Sequence, residues 1–499
     1  MIKNIDSFAE NQLGIPVVTL MKRSGEAVAA AVKDILTSGG HIIVLCGCGN
    51  NGGDGYAAAL ELIKEYDVTV YDVFEKGQKS DAGRYFRAEL IKANGKLKFG
   101  VPTERELTAD ADLVVDAIFG TGFSGSVPEE LIALSEYINS QNRIKVVAVD
   151  IPLGVSADDG AVEQFALRSD VTVALSFPKV AMFSYPAKEY VGRVIVDSLG
   201  LDLSTIEDNF AFDDSYVDFS LAKELMPKRL DNSNKGSFGK ALLMVGSQEY
   251  MGAAALALEA ALRGGAGYVS YLGNEHMCSF LLNKFPEALY NRVSCFEIDK
   301  ILSICEKQNS ILIGCGSGCS QELYNVIKSV VDIEGCPIVI DADGINSLAR
   351  YGSLDLLMNS KRKIVLTPHP LEFSRLSGLP VDYIQNNRYR AAKEFAKKYG
   401  CVLLLKGAAT LVTDGEKTYI NGSGSSAVAK AGSGDVLAGL LVSLLASGES
   451  PLRCAALAAF IHGKVGERLS EELSSYGVTP SDIPIIAPKI MAELEGACK

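Results

Sequence analysis

The chain has no Cys-x-x-Cys pair, no net positive charge, no charged-then-apolar leader and no apolar run of membrane-spanning length. Each absence removes a class of function. Eleven cysteines, an odd number, are scattered through apolar stretches such as Val44-Leu45-Cys46 and Cys401-Val402-Leu403. Neither a disulfide framework nor a thiolate zinc site is expected; buried thiols in a reducing compartment are. A net charge of −13 argues against nucleic acid or an anionic membrane as the main partner. With no signal pattern in Met1-Ile2-Lys3-Asn4-Ile5-Asp6 and no membrane-length run, a soluble, cytoplasmic protein is expected. No internal repeat links the two halves, so a fusion of unlike domains is expected rather than a duplication. What is present is ordinary globular material: 499 residues, 48% hydrophobic and 22% charged, too long for one core and suited to two.

The organising stretch lies near the end, where Asn421-Gly422-Ser423-Gly424 leads to Gly432-Ser433-Gly434-Asp435 and then a long apolar segment. This reads as a loop opening into a buried helix. Backbone N–H groups at such a helix start form an anion site, with Cβ absent at two of three positions. Asp435 stands at its mouth, either as a plain helix cap or as a base beside a phosphate chain.

In the first half, Ile42 to Cys46 reads as a buried strand, Gly47 to Gly55 as a Gly-rich turn, Tyr56 to Tyr66 as a helix and Val68 to Val73 as the next strand. That is the βαβ order of a Rossmann-like parallel sheet. Gly47-x-Gly49-x-x-Gly52 matches the dinucleotide fingerprint formally, with Asp67 or Asp72 near the expected spacing of about 20 residues. A nicotinamide dehydrogenase would need only close backbone approach there. The polar Asn50, Asn51 and Asp54 suit a cation, or a ligand's hydroxyls and phosphates, alongside the plainer reading of a turn with Asx hydrogen bonds. Asp116 and Asp150 close two further strands, at the edge where open α/β sheets bind ligands. Taken alone each has a plain reading, a strand-end Asp as a cap and Lys179, after Phe177-Pro178, as a solvated charge, but four such loops in consecutive βα units are harder to dismiss.

Taken in order, Gly49-Asn50-Asn51-Gly52-Gly53-Asp54-Gly55, Asp116-Ala117-Ile118-Phe119-Gly120-Thr121-Gly122, Asp150-Ile151-Pro152-x-Gly154 and Phe177-Pro178-Lys179 resemble the NAD(P)H-hydrate epimerase domain. The resemblance implies a domain over residues 1–212. It implies that Asn50, Asn51, Gly52, Gly53 and Asp54, with Gly120, Thr121, Gly122, Phe123, Ser124, Gly125 and Ser126, hold the hydrated dinucleotide. It places a potassium ion at Asn51, Asp116 and position 153, and makes Asp150 both substrate contact and acid/base. Leu153 stands where this family usually has a small hydroxyl residue, leaving only a backbone carbonyl for the ion.

Residues 201–220 lose the strand–helix rhythm and turn acidic, which marks the join. A second α/β unit follows, with strands at Lys240, Ile311, Pro337, Lys363 and Cys401, each ending in a polar or Gly-rich loop. His369 sits in a rigid Pro-His-Pro turn at the ligand edge; a structural role is the plainer reading. Lys406 ends a strand, as a phosphate partner or a surface charge. Lys235-Gly236-Ser237-Phe238-Gly239, Ile340-Asp341-Ala342-Asp343, Thr367-Pro368-His369-Pro370, Leu405-Lys406-Gly407 and Gly432-Ser433-Gly434-Asp435 together resemble the ADP-dependent (S)-NAD(P)H-hydrate dehydratases of the ribokinase-like superfamily, over residues 220–499.

That resemblance implies hydrate contacts at Ala253, Gly318, His369 and Asp435, and ADP contacts at Lys406, Gly407, Ala408, Ala409, Thr410 and Gly434. Asn234 and Ser433 depart from the usual His and Thr of the pattern without removing an essential group. The whole chain then resembles the bifunctional NAD(P)H-hydrate repair enzymes. Such enzymes act on NADHX and NADPHX, spend ADP with Mg2+ to give AMP and phosphate, and carry K+ in the epimerase site. A homo-oligomer is expected as well. Two other classes stay open: a small-alcohol kinase using the same Gly-x-Gly-Asp loop, and a non-catalytic ligand- or RNA-binding first domain.

Overall fold

The computed structural model describes residues 2–37, 39–74, 78–122, 127–210, 212–293 and 297–496. The chain divides into two compact units, Met1–Phe212 and Asp213–Lys499.

The first unit is built on β1 (His41–Cys46), β2 (Asp67–Asp72), β3 (Lys96–Phe99), β4 (Leu113–Ala117), β5 (Lys145–Val149), β6 (Val171–Leu175) and β7 (Arg193–Asp197). They form one sheet in the order β3-β2-β1-β4-β5-β6-β7, with every pairing parallel. The central strands are near-continuous apolar runs because helices cover both faces. The order reverses between β1 and β4, so the loops leaving their C-terminal ends diverge and open a crevice.

The Gly-rich turn is shorter than its sequence suggests. The helix spans Asn50–Leu62, so Asn50 to Gly55 belong to its first turns instead of preceding it. The glycines are there for contact. A Cβ on Gly52 would stand 1.8 Å from the carbonyl oxygen of Gly47, and one on Gly55 would stand 2.6 Å from the Ala117 side chain. The helix start is pressed onto the sheet, which carries Asn51 and Asp54 to the crevice.

The second unit holds β8 (Asp214–Val217), β9 (Lys240–Met244), β10 (Tyr268–Gly273), β11 (Leu289–Arg292), β12 (Ser310–Ile313), β13 (Ile338–Ile340), β14 (Ile364–Leu366), β15 (Val402–Leu405), β16 (Leu411–Thr413) and β17 (Thr418–Asn421). Their order is β11-β10-β9-β12-β13-β14-β15-β16-β17-β8, parallel through β15, with an antiparallel β15-β16-β17 meander. β8, inside the acidic stretch read as the join, adds in parallel to β17, so that stretch is partly sheet. The switch point falls between β9 and β12.

The helix Ser433–Leu445 is apolar on nearly every side and buried from Val436 to Leu445. It packs against the helix Met251–Arg263 so closely that a Cβ on Gly439 would stand 2.2 Å from the Ala257 carbonyl oxygen. Among the described residues, no helix is long and apolar enough to cross a membrane.

Candidate active sites

In the first unit a cavity of about 560 Å3 opens at the C-terminal ends of β1, β4, β5 and β6. Its walls include Asn50, Asn51, Asp54, Gly120, Thr121, Gly122 and Asp150, seven of the residues expected to bind. Gly52 and Gly53 are buried within the helix start and shape it from behind. Phe123, Ser124, Gly125 and Ser126 lie outside the described residues.

Asp150 follows β5 directly, with φ 68, and Ser176 follows β6 with φ 63. Two L-residues in the left-handed region bracket the cavity, a strain that persists only where the surroundings impose it. Lys179 is not solvated. Its ammonium donates to Asp150 Oδ1 and to the Leu175 carbonyl oxygen at 2.9 Å, with only 3% of its side chain exposed. The missed signal was position: a lysine in the loop leaving β6 faces an aspartate in the loop leaving β5, the adjacent parallel strand.

Asp116 is completely buried. Ile118 N–H donates to its Oδ1 at 3.2 Å and Leu153 N–H to its Oδ2 at 2.7 Å. Burial lifts its carboxyl to about 6, against the pull of those two N–H groups. Among the described residues no cationic side chain pairs with it. Asn51 spends its Nδ2 on the Phe119 carbonyl at 2.9 Å, which keeps its Oδ1 for acceptance. Asp116 is thus a buried carboxylate served, among the described residues, by two backbone N–H groups. The Leu153 side chain is 1% exposed inside the apolar cluster, and its carbonyl accepts from Leu167 N–H at 2.9 Å, which leaves the second lone pair of that oxygen for an ion.

In the second unit the loops after β12, β13, β14 and β15 converge on the start of the helix Ser433–Leu445. Lys406 Nζ donates to Asp341 Oδ1 at 2.9 Å and lies 3.8 Å from Glu372 Oε2. A Cβ on Gly434 would meet that same ammonium at 3.4 Å, so the lysine stands beside the Gly432–Gly434 loop. Asp341 also accepts from Thr367 Oγ1 at 2.7 Å and from the Cys315 thiol at 3.4 Å. Burial first, and then the charge of Asp341, lift the Asp435 carboxyl to about 6, with Lys406 opposing. Burial pulls the Lys406 ammonium down, but Asp341 and Glu372 outweigh it and leave it raised.

Ser433 Oγ and His462 Nε2 are buried beside this loop without a partner among the described residues. Burial lowers His462 to about 4, so it is neutral. Cys315, Asp341 and Asp435 offer ligand atoms within 4.8 Å of one another, and Lys406 offsets one of the two carboxylate charges by pairing with Asp341. A thiol among carboxylates is also a poor cage for Mg2+. The ion fits here only on a nucleotide's own phosphates.

The remaining expected residues fall around this centre. Gly318 N–H donates to Asp343 Oδ2 at 2.8 Å, and Ala253 packs on Gly316, whose Cβ would stand 2.7 Å from its own. His369 caps the helix Pro370–Ser377: its Nδ1 accepts from the N–H of Leu371 at 3.2 Å and of Glu372 at 3.3 Å, and its Nε2 faces Glu372 Oε1 at 3.3 Å. Burial, and then Lys406, lower its pKa. Gly407, Ala408, Ala409 and Thr410 form the strained turn after β15, with φ 143 at Gly407 and φ 49 at Ala409. The buried Arg388 supports that turn through the Leu405 and Lys406 carbonyls, each at 3.2 Å. Asp341, Glu372 and Arg388 were missed as site residues. Charge just after a buried strand marks Asp341, whereas Glu372 and Arg388 lie in the helices Pro370–Ser377 and Arg388–Tyr399, where no such signal stands.

A family model described as YjeF-related protein N-terminus matches residues 17–181, and one described as NAD(P)H-hydrate dehydratase matches residues 241–489. The bifunctional NAD(P)H-hydrate repair enzyme of Thermofilum pendens is 32% identical, over 99% of this chain and 95% of its own. That of Coxiella burnetii is 32% identical over 94% of each. Among solved structures, the ADP/ATP-dependent NAD(P)H-hydrate dehydratase of Bacillus subtilis, co-crystallised with ATP/Mg2+, matches 57% of this chain and 100% of its own, at 29% identity and a TM-score of 0.51.

Proposed function

The chain belongs to the family of bifunctional NAD(P)H-hydrate repair enzymes, and from that premise we propose that each unit carries one step of cofactor repair, on NADHX and NADPHX. Hydration of a reduced nicotinamide ring leaves a hydroxyl on the carbon bonded to the ring nitrogen. The first unit epimerises that carbon. Asp150 takes the hydroxyl proton, the C–O bond becomes a carbonyl, and the ring C–N bond breaks with its electron pair moving to nitrogen. Reclosure on the other face returns the proton and yields the other epimer. Asn50, Asn51, Asp54 and Gly120 to Ser126 bind the dinucleotide. Asn51 and Asp116 would hold K+, which would supply positive charge to the dinucleotide site.

The second unit removes water from the S epimer. Asp435 takes the hydroxyl proton, and the alkoxide attacks the β-phosphorus of ADP and expels AMP. The ring nitrogen then expels phosphate, and loss of a proton from the neighbouring carbon restores the double bond. The N–H groups of Gly432 and Gly434 and the Lys406 ammonium stabilise the phosphoryl charge, the Ser433 N–H being donated to the Lys430 carbonyl at 3.1 Å. Mg2+ supplies further neutralisation on the nucleotide. Ala253, Gly318 and His369 line the hydrate side, and Lys406 to Thr410 with Gly434 the ADP side.

One observation supports this reading above the others. A half-buried carboxylate with its proton held to about 6 stands at a helix N-terminus between a lysine and unspent polar groups. That is a general base poised near neutral pH beside an anion site. Asp435→Asn is expected to abolish ADP-driven dehydration and leave epimerisation intact, with Asp150→Asn the reverse. Normal dehydration by Asp435→Asn, or a stable phosphorylated product, would overturn the assignment.

A further inference from the structure

Asp150 presents two unlike oxygens. Its Oδ1 is fully engaged: Lys179 Nζ donates to it, and so does Leu175 N–H at 3.3 Å. Its Oδ2 has no protein partner among the described residues, and Asp150 lines the cavity. The same lysine is tied to the Leu175 carbonyl, so one ammonium clamps the end of β6 to the carboxylate after β5. Asp150 N–H in turn donates to the Val173 carbonyl at 2.8 Å, which holds the residue at its positive φ.

A buried ion pair of this kind is weak evidence for stability, because desolvation offsets most of the attraction. Strain at each left-handed residue adds to the cost. The arrangement is explained better by what it does to one atom.

We propose that Lys179 is a positioning residue for epimerisation, pinning Oδ1 of Asp150 so that Oδ2 alone faces the ring hydroxyl and carries its proton out and back. The inference rests on the epimerase reading of this cavity. The other charged groups at the cavity are Asp54, from the helix Asn50–Leu62, and Lys79, while Asp116 lies buried on β4 with its own backbone donors. Among the described residues, the side-chain partners of Asp150 are Lys179 and Leu175 N–H. A single shared clamp on a strained carboxylate therefore sets its rotamer.

The test uses the full-length chain, with dehydration of the S epimer as an internal control of integrity. Lys179→Ala is expected to lower the epimerisation kcat by about a hundredfold, the loss a misplaced catalytic group produces. Its KM should stay within about twofold, and S-epimer dehydration should be unchanged. Propylammonium should restore at least about tenfold of the lost rate, and propanol, of the same size but uncharged, should not. Lys179→Met, which keeps the volume, should show the same kcat loss if the alanine variant fails to fold.

Wild-type kcat in either variant would overturn the proposal. So would equal rescue by propanol, or the failure of both variants to fold, since the role is then one of packing. A wild-type chain with no epimerisation would sink the epimerase reading instead, so the two failures are distinguishable.

Discussion

Asp435 shows most directly how environment sets chemistry at the scale of one residue. Its carboxyl is lifted to about 6 by burial and by Asp341, so the base form is populated only above that pH. Dehydration kcat/KM with ADP should therefore rise through pH 6 and then level off. The sign for stability is opposite. A raised carboxyl favours the protonated folded state, so this contribution is complete below about pH 4 and is lost as pH rises through 6. Lys406 opposes the lift, so Lys406→Met should move the acid limb above pH 6 and raise the KM for ADP. A limb left at 6 would mean the lysine does not sense the carboxylate. In the other unit, K+ should raise the melting temperature of the wild-type chain more than an equal concentration of tetramethylammonium does. Asp116→Asn should lose that difference; its persistence would place the ion elsewhere.

At the scale of elements, close backbone approach decides where side chains land. Gly52→Ala would put a methyl 1.8 Å from the Gly47 carbonyl oxygen. It should destabilise the first unit by roughly 1–3 kcal/mol through overpacking, with epimerisation lost and dehydration spared; full epimerisation in that variant would contradict the packing account. The same glycines explain what was legible in the sequence. Buried strands ending in Asp116, Asp150 and Lys406 were readable, because an apolar run followed by a charge marks the ligand edge of a parallel sheet. The helix start was read too late, since glycine's low helix propensity is overridden here by contact with Gly47 and Ala117. β8 was read as linker because a short acidic edge strand carries little apolar signal, and only the β17 ladder reveals it. Lys179 was read as solvated because nothing local marks burial; its partner is 29 residues away.

At the scale of the whole molecule, each unit has its own sheet, switch point and core. The residues proposed for each chemistry all belong to one unit. Asp150→Asn and Asp435→Asn chains mixed together should thus repair both epimers to completion, although each alone leaves the work unfinished. Failure of the mixture, with each single activity intact, would show that the intermediate must pass within one chain. The central claim is that one chain repairs both epimers at the expense of ADP. Its most direct test is the reduced-nicotinamide absorbance recovered when the protein is added to mixed NADH hydrates, with ADP or with no nucleotide. Complete recovery with ADP, and none without nucleotide, is the predicted result. Recovery that stops at the S fraction, or no recovery at all, would contradict it.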